Sequence, residues 1–362
     1  MMRPLFNYGS YFMLKPLALS LLIFTTNTAW AAENNNLKPL FDNTFANMTY
    51  PQVAGNYLVY NQRIQSNHQI MRLNRDALYG ENKSISADFT NEVVRNGIAF
   101  ANGDIAYVSN RLGRLSPWLS HEKREIVLGA GIFQNLLLPN HVDVSSDAKT
   151  WVFDSTLETT RTPRLHNQFI DERLHIQLLG QNWRMYHSKL WAFKSGYAET
   201  KTGLNNNFQQ PYLFSFSRGN NEITMLGDGF DASLSQDGQR MVFVREDNGN
   251  FDLWMQNIDG SDLKRLTTNT YADIEPSLSP DGKRVVFVSN RDSRGEVTQT
   301  FIHVLNIKTG EVKAVTSGLE VMDGGPAWLD DNTIIFHSNR DPNSTNNSTV
   351  DNWRLWTVAL PK

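Results

Sequence analysis

The stretch DIEPSLSPDGKRVVFVSNRD, Asp273 to Asp292, decides the fold, because the chain writes it three times. A near copy, GFDASLSQDGQRMVFVRED, lies about 44 residues upstream, and a looser one, DGGPAWLDDNTIIFHSNRD, about 50 residues downstream. Repetition at this period marks an architecture in which each copy is one supersecondary unit unable to bury its faces alone. The unit decodes into strands. PSLS is a short strand, and PDG is turn chemistry: Pro fixes φ, Asp bonds its own backbone, and Gly takes φ > 0. RVVFVS is a β-branched apolar run too continuous for a half-exposed strand, so both its faces should be covered. FIHVLNI and EVKAVTS follow as two more strands around the turn KTG, which makes four strands with short hairpins.

Sliding the unit along the chain, with the aromatic of the second strand as register, matches Tyr60, Tyr107, Phe153, Phe193, Phe243, Phe287 and Phe336. The spacings of about 40–50 residues are those of four-stranded propeller blades. REIVLG, RLHIQLLG and EITMLG each close a unit with Leu-Gly. The seventh unit ends after one strand, RLWTVAL, beyond the polar loop DPNSTNNSTVDN. KPLFDNTF near the N-terminus aligns with KRLTTNTY of unit five, so Leu37 to Phe41 is expected to supply the missing strand and remove an open sheet edge. The expectation is an all-β chain, a single β-propeller of seven four-stranded blades closed by an N-terminal strand, or six if units three and four do not each form one. Sustained 3.6-residue apolar periodicity is absent, which excludes a helix-rich domain.

PSLSPDGKRVVFVSNRD, NFDLWMQNIDGSDLKRLT and SLSQDGQRMVFVRED resemble the WD-repeat-like propeller repeats of the TolB family. The likeness is specific over about Gly229–Leu360 and only a patterned echo in units one to four. It implies a periplasmic propeller. Family members place a separate α/β domain before the propeller, whereas blade one is expected here almost directly after the leader. The resemblance therefore covers the propeller part only, and the family's role in envelope integrity does not carry over intact.

MLKPLALSLLIFTTNTAWAAE joins a basic Lys15, an apolar run from Leu17 to Phe24 and small residues at Ala29, Ala31 and Ala32, the layout of a secretory signal cut after Ala31. Residues 1–31 are thus read as a signal peptide, with Met13 the more typical start, and 32–362 as the propeller domain. The apolar run is shorter than the roughly 18–20 residues of a spanning helix. There is no cysteine, which excludes disulfides, thiolate metal sites and a lipid-modified N-terminal Cys. The net charge is −3, about −5 once Arg3 and Lys15 leave with the signal, and no basic run exceeds HEKRE. Nucleic-acid binding has little electrostatic footing. The expected product is periplasmic and monomeric, without a membrane span.

The start of the first strand of a hairpin lies beside the end of the second. Asp273 should therefore approach Arg291, Asp323 should approach Arg340, and Arg111 ends the second strand of unit two. These charges gather on the face that carries the blade-to-blade connections. Two readings stand: a rim that binds an envelope protein, or ion pairs that pin loops and staple blades, which repetition across units favours. Catalytic residues, a metal and a cofactor are not expected. G-x-S-x-G and G-x-x-x-x-G-K-[ST] do not occur. REDNGNFD, Arg245 to Asp252, lacks the full calcium-loop pattern and reads as a polar turn. His166, His175, His187, His303 and His337 show no zinc spacing. A propeller enzyme on oligosaccharides, such as a polysaccharide lyase with a channel metal, would need His303, His337 and one of the other three to converge. Trp151 and Trp191 belong to second strands, Trp254 and Trp356 to third strands and Trp328 to a first strand, where blade packing is the default; carbohydrate stacking is the other ligand class to weigh. The function expected is a non-catalytic protein-binding or scaffolding module of the cell envelope.

Overall fold

The computed structural model describes residues 36–41, 46–64, 67–78, 83–84, 94–99, 104–109, 116–121, 124–127, 141–147, 149–160, 175–178, 211–217, 219, 222–247, 249–296, 298–341, 344–348 and 352–361. The expected signal segment, Arg111, Phe193, His166 and His187 lie outside them.

The described strands form one all-β propeller of six antiparallel blades; five run in chain order from the centre outward, and the sixth takes its outer strand from the N-terminal side of the chain. Blade 1 holds Asn47–Ala54, Tyr57–Ile64, Asn67–Asn74 and Lys83–Ser84. Blade 2 holds Val94–Ala99, Ile105–Ser109, Ser116–His121 and Arg124–Val127. Blade 3 is built from Val142–Val144, Thr150–Thr160, Pro211–Ser217 and Glu222–Asp228. Phe230–Leu234, Arg240–Asp247, Asn250–Asn257 and Lys264–Arg265 make blade 4. Asp273–Leu278, Arg284–Ser289, Phe301–Asn306 and Val312–Ala314 make blade 5. Blade 6 has Asp323–Asp330, Thr333–Ser338 and Arg354–Ala359, with Leu37–Pro39 paired along the last of these at Leu37↔Val358. The first strands neighbour one another around the ring and line a central channel.

Six blades are described, the lower of the two expected counts, and blade 3 shows how two sequence units share one sheet. Trp151 pairs with Phe216 and Phe153 with Phe214, so the third strand arrives from about 50 residues downstream. His175–Leu178, expected to close a unit, pairs instead with the far half of the second strand, Leu157↔Leu178. Units three and four of the sequence therefore contribute two strands each to one sheet.

The register aromatics do what their spacing implies. Tyr60, Tyr107, Phe153, Phe243, Phe287 and Phe336 all sit in second strands and are buried. Most face a bulky partner across the third strand: Tyr107↔Trp118, Phe153↔Phe214, Phe243↔Trp254 and Phe336↔Trp356. Burying such a ring is worth about 1.5–3 kcal/mol, and the facing blade supplies the cover. A Ser-x-Asp turn links first to second strand in blades 3, 4 and 5. Ser145, Ser235 and Ser279 donate to Asp147, Asp237 and Asp281, and their hydroxyl oxygens accept from the amides of Thr150, Arg240 and Arg284. Gly282 takes φ +67 there, as the PDG reading requires.

The first strands share a second device. In five of the six the register slips by a bulge, between Thr49 and Gln52, Arg95 and Ile98, Phe230 and Ser233, Ile274 and Ser277, and Gly324 and Ala327. Tyr50, Asp231, Glu275 and Gly325 occupy the bulges with φ between 51 and 52. Bulges re-aim side chains, and two of these reach the neighbouring blade: Glu275 accepts from Gly325 N, and Tyr50 packs against His337.

Candidate functional site

Two layers of charge lie at one end of the ring. The outer layer is the loop face at the start of the first strands. Arg291 donates from Nη2 to both carboxylate oxygens of Asp273 at 2.8 Å, and Asn269 in the blade 4–5 connection donates to the same carboxylate at 2.7 Å. In blade 6 Arg340 donates from Nε to Asp323 Oδ1 at 3.0 Å and from Nη2 to Oδ2 at 2.5 Å. Its Nη1 reaches the Ser317 carbonyl at 2.6 Å, and Thr316 donates to Asp323 Oδ2. Each pair thus ties the end of a hairpin to the connection arriving from the previous blade. Asp273, Asp323 and Arg340 are buried, Arg340 with no exposed surface at all. Buried, fully bonded ions of this kind fix geometry; Arg291 alone of the four keeps a partly exposed guanidinium.

Two residues further along the inner strands lies the second layer. His141 stands four residues before Ser145, as Asp231 stands before Ser235 and Glu275 before Ser279, so the three share one position in successive blades. Asp154, next to the register aromatic Phe153, completes the group. Ligand atoms of His141, Asp154 and Asp231 all lie within 4.8 Å of one another. Backbone amides hold Asp154 from both sides: Asp231 N donates to Oδ2 at 2.9 Å and His141 N to Oδ1 at 3.4 Å. Asp231 Oδ1 is buried without a hydrogen-bond partner. Glu275 accepts from Gly325 N across the blade 5–6 boundary.

Burial, then the charges of Asp154 and Glu275, hold the Asp231 carboxyl well above the usual carboxylate range. Burial pushes His141 down to about 4, against the opposing pull of Glu275, so its imidazole is neutral at pH 7. Asp143 rises to about 6 because burial outweighs the amide bonds it accepts from Leu234 and Val144. Beyond Glu275 the ring changes character. A Cβ at Gly325 would come within 2.7 Å of His337 Nδ1, so glycine makes room for that imidazole. His337 accepts from Tyr50 N at 3.3 Å and packs edge-on to Tyr50 and Trp353.

Of the histidines named from sequence, the two with described side chains, His303 and His337, lie in different blades against different partners. His303 contacts Phe301 O at 3.1 Å and Asp292 at 2.9 Å on the third strand of blade 5, while His337 lies against Tyr50. His175 falls in the extra strand of blade 3. His141, Asp154 and Asp231 went unremarked. Their signal was the Ser-x-Asp turn, which sets the register that puts His141 beside Asp231. Trp151, Trp254, Trp328 and Trp356 occupy the strands expected of them, Trp191 lies outside the described residues, and Trp118 is buried in the third strand of blade 2. Arg245 to Asp252 is the hairpin turn between the second and third strands of blade 4, with Asp247↔Asn250.

A family model described as the TolB beta propeller domain matches residues 222–344. A search of curated protein sequences finds no match. Among solved structures, TolB from Acinetobacter baumannii superposes with a TM-score of 0.53 at 15% identity over 85% of this chain. The chain spans 64% of the length of that protein. The putative TolB from Agrobacterium tumefaciens gives 0.52 at 14% identity, covering 90% of this chain and 97% of its own. An oligogalacturonate lyase from Vibrio parahaemolyticus gives 0.51 at 12% identity, covering 90% and 94%. At these identities the structural likeness speaks to the fold. The fold is that of a β-propeller, and residues 222–344 are similar to the TolB beta propeller domain.

Proposed function

We propose that this propeller is exported to the periplasm and acts, without catalysis, as a protein-binding module of the cell envelope, through the loop face around blades 5 and 6. Leu319 carries the reading. It is 69% exposed, the most exposed large apolar side chain among the described residues. A lone exposed leucine is ordinary; this one tips a loop whose base is fixed on both sides. Ser317 O is held by Arg340, and buried Val321 accepts from Thr300 N. An apolar side chain on a pre-ordered loop loses little entropy on docking, which is how interface anchors gain affinity. In this reading Asp273, Arg291, Asp323 and Arg340 set the shape of the rim, with Arg111 included from the sequence repeat alone. Export draws support from the apolar Leu17–Phe24 segment and the TolB likeness. No helix among the described residues is long and apolar enough to cross a membrane.

The test is crosslinking in intact cells with the full chain beside Leu319→Asp, a surface change that should leave the melting temperature in place. Capture of one discrete envelope protein by the parent, reduced at least tenfold in the variant, is expected. Equal capture by both would move the site off this loop, and no capture by the parent would overturn the module reading.

A further inference from the structure

We propose that His141, Asp154 and Asp231 form a divalent-cation site in the channel, at the junction of blades 3 and 4. The proposal is independent of any protein partner. Three observations combine in it. One neutral nitrogen donor and two carboxylates converge to within 4.8 Å from two inner strands and one second strand. Asp231 is 3% exposed, and its Oδ1 has no hydrogen-bond partner, although a buried acceptor left unsatisfied costs about 1–3 kcal/mol. Asp154 is fixed in place by the amides of the other two residues, so one ligand is already oriented by its surroundings.

The charge balance agrees. Asp154 and Asp231 with Glu275 nearby crowd negative charge into the channel, which a divalent ion would offset. An ion bound at about 2.0–2.2 Å from each donor would draw the three side chains inward. The imidazole decides the class of ion. Carboxylates alone would suit Ca²⁺ or Mg²⁺, whereas one nitrogen with two carboxylates favours a borderline transition ion, Zn²⁺ or Mn²⁺. Three protein donors leave further coordination positions to water or to a ligand in the channel. The left-handed backbone of Asp231 belongs to the repeated bulge, whose counterparts are Tyr50 and Glu275.

The test uses the untagged full chain, stripped with chelator and titrated with Zn²⁺, Mn²⁺ and Ca²⁺ while bound metal and melting temperature are followed. One Zn²⁺ or Mn²⁺ per chain with a raised melting temperature is expected, and Asp231→Asn should weaken affinity at least tenfold and abolish the thermal shift. His141→Gln provides a second reading should Asp231→Asn fail to fold. Absence of saturable one-to-one binding in the parent would overturn the site whatever the variants do. So would unchanged binding in either folded variant, and a preference for Ca²⁺ would overturn the assignment of the ion.

Discussion

Arg340 and Arg291 look alike in sequence, each ending a second strand in SNRD, yet burial separates their energetics. Arg340 has no exposed surface and gives Nε and Nη2 to Asp323 and Nη1 to Ser317. Truncating one partner of such a pair strands a charge in a low-dielectric interior, at a cost of about 3–5 kcal/mol. Arg340→Ala should therefore lose that much in urea unfolding, with little dependence on salt, because buried pairs are weakly screened. Arg291→Ala should cost less, since its guanidinium is 19% exposed and water can replace part of the bond to Asp273. Asp292 carries a pH signature. The hydrogen bond from His303, helped by the charge of Arg291, holds its carboxyl below the usual carboxylate range. A carboxyl depressed on folding adds stability above its unfolded pKa of about 4 and loses it as pH falls through the folded value. Asp292→Asn should thus cost about 0.5–1 kcal/mol at pH 7, the range of a half-exposed pair. The gap to the parent should close below pH 3 in denaturant titrations.

Within a blade, the Ser-x-Asp turn is the element that fixes register. Ser279 donates to Asp281 while its oxygen accepts from Arg284 N and Lys283 N, so one hydroxyl ties the turn to both strand ends. Removing it leaves polar backbone at a buried corner, and Ser279→Ala should cost about 1–2 kcal/mol. Ser235→Ala should cost nearly the same, because Ser235 has the same bonds to Asp237 and Arg240; equilibrium unfolding of the two single variants checks the equivalence. This turn also marks the limit of what could be read. Second-strand aromatics were legible because their burial leaves an apolar pattern in every copy, from Tyr60 to Phe336. The inner-strand position has no such pattern: it holds Tyr50, His141, Asp231, Glu275 and Gly325, five residues without a shared apolar character. Blade 3 left two counts open for a related reason. Spacing alone does not decide whether units three and four form one blade or two, and it is the pairing of Thr150–Thr160 with Pro211–Ser217 that joins them.

At the scale of the ring, stability depends on where the sheet edges are. Arg354–Ala359 carries Trp356 and Val358, both buried, and Leu37–Pro39 pairs along its outer side. Leu40 extends the join by donating its amide to Leu355 O at 2.8 Å, and Met48 N donates to Trp353 O as blade 1 begins. We infer that this pairing is the clasp joining the two ends of the chain. A ring whose ends are held this way unfolds as one unit, whereas a released end lets blades 6 and 1 separate without the others. Removing residues up to Leu40 should therefore do two things at once. The melting transition should fall and broaden, because Leu37 and Leu40 leave the core and cooperativity between blades 6 and 1 is lost. The bare edge of Arg354–Ala359 would present unpaired amides and carbonyls beside apolar Trp356, a template for pairing with another chain. Sedimentation velocity should then show concentration-dependent association in the truncated protein and none in the parent. A synthetic peptide spanning residues 36–41 should suppress that association by refilling the edge. A truncated chain that melts as sharply as the parent and stays monomeric would show that the ring closes without its N-terminal strand.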